Sequence, residues 1–84
     1  MKISELADRV RTREDFVRFI YELKKDHGIN MEEWANRDIP SYLEGVASWA
    51  EDMDGYYTNM DIKPPTNVDW RFLAILFYVG KIYE

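Results

Sequence analysis

The chain has 84 residues, no cysteine and a formal net charge of −5. It is too short for more than one hydrophobic core, it can form neither a disulfide nor a thiolate metal site, and it has no basic surplus of the kind that binds nucleic acid by releasing counterions. Aromatic residues make up 15% of it, which excludes a disordered chain and offsets the short length with large buriable side chains.

The charge is unevenly placed. Residues 1–27 carry seven basic and six acidic side chains, residues 28–84 four and ten. No Lys or Arg stands between Arg37 and Lys63, where six acids do: Asp38, Glu44, Glu51, Asp52, Asp54 and Asp61. Such a stretch repels phosphate backbones and attracts a basic partner.

In chain order, MKISELADRV places Ile3, Leu6 and Val10 at helical spacing, and predicts a short helix before Arg11. Its early acids and missing apolar segment argue against a signal peptide. Thr12 caps the next helix, with Glu14 and Asp15 in its first turn and Phe16, Phe19, Ile20 and Leu23 as its apolar stripe. His27-Gly28 reads as its stop, with glycine as the left-handed terminator and His27 favoured as a cation at the helix end rather than as a catalytic base. Asn30 with Glu33 then reads as a capping box over one or two turns. Asp38 caps a longer helix with Pro40 in its first turn, and Tyr42, Val46, Trp49 and Met53 form a broad apolar face. Pro64-Pro65 breaks the chain, and Thr66 or Asn67 caps a last helix from Trp70 to about Tyr83.

The run from Phe72 to Gly80 is nine residues without a charge, half of a bilayer span. No membrane segment is therefore expected, and a cytoplasmic location is. Its composition alone suits a strand as well as a helix, and the flanking cap and length favour helix. Because it is apolar on every side, that helix lies at the centre of the bundle or uses one face to dimerise.

The stretch SWAEDMDGYYTNM, residues 48–60, holds the candidate chemistry. As a calcium loop with Gly55 at position six, it has Asp52 and Asp54 at ligand positions but Ala50 where the first ligand belongs and Asp61 where a glutamate belongs, so an EF-hand is rejected. Glu51 and Asp54 share a helix face beside Asp52, which makes a weak divalent-metal factor or enzyme the alternative reading. Di-metal bundles need partners from other helices, and the single histidine is distant. No cysteine nucleophile, nucleophile elbow or phosphate-cradling glycine loop occurs, so no catalytic residue, cofactor or metal ligand is assigned and an enzyme is not expected.

Met53, Tyr56, Tyr57 and Met60 continue the apolar stripe through Gly55 without a change of phase. Ending the helix at Gly55 would leave three acids in its last turn against the macrodipole, at about 0.3–1 kcal/mol each, whereas a helical glycine costs about 1 kcal/mol. The unbroken phase favours continuation to about Asn59, with Trp49, Met53, Tyr56 and Tyr57 turned inward. Ser41, Gly45, Ser48, Asp52, Gly55 and Asn59 then form an outward strip. Packing of the N-terminal segment across it is the simpler reason for two glycines there, and docking of a partner is the functional one.

Residues Glu32 to Met60, with NVDWRFLA and the closing KIYE, resemble a group of small bacterial proteins classed as a domain of unknown function. The resemblance rests on Trp34, Asn36, Trp49, Asp52 to Tyr57, Asn59, Trp70, Ala74, Tyr83 and Glu84. Val79-Gly80 departs from an alanine pair in that pattern, a change that helix packing can absorb. The resemblance implies a bacterial, intracellular, single-domain protein and supplies no activity, catalytic residue or cofactor.

The expectation is an all-α protein: one domain over residues 1–84, a bundle of about four helices with a central apolar C-terminal helix. The expected function is protein–protein interaction with a basic protein partner, an inhibitor or immunity-type protein being one version by size and charge. Its candidate contact residues are Glu44, Ser48, Glu51, Asp52, Asp54, Gly55 and Asn59. Monomer and homodimer both stay open.

Overall fold

A computed structural model describes residues 1–84. It contains four α-helices and no strand: α1 (Ile3–Asp8), α2 (Arg13–Ile29), α3 (Ile39–Asn59) and α4 (Trp70–Ile82), with a 3-10 turn at Met31–Glu33. No helix is long and apolar enough to cross a membrane.

Local side-chain chemistry starts each long helix. The Thr12 hydroxyl accepts from Asp15 N–H at 3.1 Å, and the Asp15 carboxylate accepts in return from Thr12 N–H, a reciprocal capping box. The Asp15 carboxylate also accepts from Arg11 N–H at 3.1 Å, and this bond first, with that from Thr12 N–H, holds its carboxyl below its ordinary pKa. Asp38 accepts from Ser41 N–H at 2.8 Å and opens α3, with Pro40 in the first turn. The last helix is capped by Asp69, which accepts from Phe72 N–H at 2.8 Å, and not by Thr66 or Asn67. The irregular segment after Pro65 extends farther than its sequence suggests, and the cap is the residue directly before Trp70.

Two expected boundaries move. α2 runs through His27 and Gly28 to Ile29, because no glycine in the chain has a positive φ and Gly28 stays helical. Asn30 ends α2 instead: its N–H donates to Asp26 C=O at 2.7 Å and its amide to Asp26 Oδ1 at 2.9 Å. That engagement removes Asn30 from the predicted capping box, and Met31–Glu33 forms a single 3-10 turn without a side-chain cap.

α3 continues through Gly55, as its phase predicts, and stops on a Schellman motif. Ile62 N–H donates to Tyr57 C=O and Asp61 N–H to Thr58 C=O, with Asp61 left-handed at φ 55°. The inward stripe needs one correction. Trp49 and Tyr57 are buried and Met53 is partly so, but Tyr56 keeps 44% of its surface and Met60 lies in the open. Tyr56 sits at the margin of the buried arc, its ring 5.0 Å from that of Tyr57.

α4 is the central element and packs against α1, α2 and α3. On one side Ala74 joins Ala7, Val10, Phe19, Leu23 and Trp34 in the larger core. On the other, Val79 joins Trp49 and Tyr57. Gly80 lets α3 close in: a Cβ there would stand 2.7 Å from both the Tyr42 ring and Val46 Cγ2.

Candidate functional site

The polar side chains converge at the C-terminal end of α4, where the last carbonyls of a helix have no partner within it. The segment after the 3-10 turn supplies partners. Lys81 C=O accepts from Ala35 N–H at 3.0 Å and Asn36 N–H at 3.1 Å. The buried Asn36 amide donates to Gly80 C=O at 3.0 Å and to Tyr83 C=O at 2.6 Å. Gly45 makes room for this clamp, since a Cβ on it would meet Asn36 Nδ2 at 2.7 Å and Tyr83 C=O at 2.8 Å.

A second cluster fastens the clamp to α2. Asp26 accepts from Lys81 Nζ at 2.8 Å, Trp34 Nε1 at 2.9 Å and Asn30 Nδ2 at 2.9 Å. The two charged side chains are 9% and 10% exposed. Burial by itself would push the Asp26 pKa up, but the bonds from Lys81, Asn30 and Trp34 outweigh it and leave the carboxyl below its ordinary value. The Lys81 ammonium also lies 5.6 Å from the centre of the Trp34 ring. His27 packs edge-on against that ring, and its Nε2 donates to Arg37 C=O at 2.9 Å. Every buried polar side-chain atom has a partner, so the cluster's chemistry is to lock α2, the 3-10 segment and α4 together.

Tyr83 extends the clamp to α3. Its hydroxyl donates to Asp52 Oδ2 at 2.6 Å, and this bond to the carboxylate is the first cause of its raised pKa. The predicted outward strip is therefore not continuous: Gly45 is buried beneath Asn36 and Tyr83, and Asp52 is engaged. The C-terminal segment and Asn36 cover the strip at Gly45 alone, where the N-terminal segment was expected to cross it.

The remaining candidates stay on the surface. Glu44, Glu51, Asp54, Gly55 and Asn59 are exposed and Ser48 is half-buried. Glu44 and Ser48 border a polar cleft of about 310 Å³ with Asn36, Ser41, Tyr83 and Glu84. No three His, Cys, Asp or Glu side chains converge so as to hold a metal ion. A larger hollow of about 550 Å³ lies between the start of α1 and the end of α2, beside Lys2, Glu22, Lys25 and Glu33.

The ion pairs divide the molecule. All five use an acid from the first third of the chain: Asp8, Glu14, Asp15, Glu22 and Asp26. Arg71 carries one of them across to α1 by pairing with Asp8. None of the ten acids of residues 28–84 has a basic partner.

Asp26, Asn36, Lys81 and Tyr83 received no role from reading the residues alone, although Trp34, Asn36 and Tyr83 stand in the pattern that carries the resemblance. Two signals were present. Asp26 is an acid in the last turn of a helix, against its dipole, and Lys81 follows directly on an apolar run.

The model of a family described as "Family of unknown function (DUF7660)" matches residues 12–84. No curated protein and no solved structure matches the chain.

Proposed function

The chain belongs to this family of unknown function, a membership that brings no activity with it, and we propose that it is a protein-interaction module presenting the outer face of α3 to a basic protein partner. The observation that carries this reading is the unpaired charge of that face. Glu44 and Glu51 recur at i and i+7 with Ser48 between them, on the longest helix of the fold, exposed and without an ion-pair partner.

A single-sign face of this kind steers a basic partner and raises its association rate more than it adds to affinity. Asp54, Gly55 and Asn59 extend the face toward the end of α3, whereas Asp52 contributes through its bond to Tyr83. An inhibitor that covers a basic site on another protein is the version that small size and acidity suit.

Capture from the source lysate at low and at high salt tests the reading, with the wild type beside Glu44→Lys/Glu51→Lys. A basic protein retained at low salt, released at high salt and lost with the double charge reversal is the expected result. Retention that ignores both salt and charge reversal overturns it. Circular dichroism of the variant checks that α3 is intact.

A further inference from the structure

The central helix is covered on three sides only. α1, α2 and α3 pack against α4, but α2 and α3 nowhere bring Cα atoms within 8 Å of each other. Between them α4 faces outward: Phe77 keeps 41% and Trp70 37% of their surface, although both belong to the most apolar element of the chain. A hollow of about 330 Å³ at one end of this groove opens between Phe77, Tyr42 and Ile39. The banks are apolar as well, with Val17 on α2 and Leu43 on α3 exposed. A contiguous apolar face of this kind marks an interaction surface.

The charges on the two banks identify the occupant. Arg13, Val17, Ile20 and Lys24 follow one another at i, i+4, i+7 and i+11 and form the α2 bank, basic at both ends. Leu43, Ala47, Ala50 and Asp54 repeat the same spacing on α3, and Asp38 stands at the other end of that bank. The levels match. Phe16 packs on Trp70 and Asp26 reaches Lys81, so α2 runs parallel to α4. Gly80, near the end of α4, lies against Tyr42 and Val46 near the start of α3, and the charges of Arg71 and Asp69 at the start of α4 act on Tyr57 near the end of α3, so α3 runs antiparallel to it. Arg13 and Asp54 therefore share one end of the groove, and Lys24 and Asp38 the other.

We propose that a second copy of this chain covers the groove, in a two-fold dimer where α2 of each protomer lies against α3 of the other. A two-fold axis along the groove sets each basic bank opposite an acidic one at the same level, and pairs Arg13 with Asp54 and Lys24 with Asp38 twice over. An axis across the groove would instead oppose α2 to α2 and place Arg13 beside Lys24. A foreign helix of one charge sign would be attracted by one bank and repelled by the other, whereas the chain itself carries both. Ala47 and Ala50, both exposed, leave room for the incoming α2. The interface shares Asp54 with the Glu44–Glu51 face but uses neither Glu44 nor Glu51, and does not depend on the reading of that face.

Sedimentation over a concentration series tests the dimer, with Arg13→Asp, Asp54→Arg, their combination and Phe77→Asp. The wild type is expected to pass from monomer to dimer as concentration rises. Each single charge variant weakens the dimer by about tenfold or more, and the double swap restores it, a rescue that a folding defect would not give. Phe77→Asp abolishes dimerisation with the helical signal retained. A chain monomeric at millimolar concentration leaves the groove to a different partner and overturns the proposal, as does a dimer that neither single charge variant weakens.

Discussion

A Cβ on Gly45 would stand 2.7 Å from the Asn36 amide and 2.8 Å from Tyr83 C=O, whereas one on Gly55, in the same helix, would have nothing within 4 Å. The two glycines look alike in the sequence and do different things. Gly45 lets a backbone and a buried amide approach, while Gly55 only weakens a helix. Gly55→Ala is therefore expected to stabilise the protein by about 0.4–1 kcal/mol, and Gly45→Ala to destabilise it by about 1–3 kcal/mol through forced displacement of the clamp. Urea unfolding of the two variants checks the signs. The residue scale is also where the candidate surface was partly legible. Glu44, Glu51, Asp54, Gly55 and Asn59 are exposed as a helical period requires, but the covering of Gly45 and the bond from Tyr83 to Asp52 come from the far end of the chain.

At the scale of elements, the helices follow from signals a few residues wide. Thr12 with Asp15, and Asp38 with Pro40, begin helices where the sequence predicts them, and the unbroken apolar phase carries α3 through Gly55. The missed boundaries arise where a side chain has a stronger use elsewhere. Asn30 bonds back to Asp26 instead of capping forward, and Asp69 rather than Thr66 or Asn67 accepts from a free N–H in the first turn of α4, that of Phe72. α3 ends on Asp61, left-handed at φ 55°, a conformation that costs an L-residue roughly 1–2 kcal/mol and glycine nothing. Asp61→Gly is expected to raise stability by about 1 kcal/mol, read as a higher thermal midpoint with an unchanged helical signal.

For the whole molecule, the decisive link is the ion pair between Asp26 and Lys81, from α2 to α4 across most of the chain. Removing one partner would leave the other buried and uncompensated, so Asp26→Asn is expected to cost about 3–5 kcal/mol at neutral pH. The sign of the pH dependence follows from the depressed pKa of Asp26. Its contribution is complete above the ordinary carboxylate value near 3.8 and is lost as pH falls through the lower folded value. Urea unfolding from pH 7 down to pH 2 is expected to show wild-type stability falling below about pH 4, with a shallower fall in Asp26→Asn.

The sequence by itself determined the fold class, the central place of the apolar last helix and the acidity of α3, because periodicity, caps and composition act over a few residues. Only the tertiary structure decided which polar groups meet. Asn36 with Gly80 and Tyr83, Asp26 with Lys81, and Tyr83 with Asp52 are each more than thirty residues apart in sequence. Their pairing depends on how three helices pack around a fourth, and that packing also left the groove between α2 and α3 uncovered. No local pattern encodes such distances, since a hydrogen bond is set by where two atoms stand in space, not by their spacing along the chain.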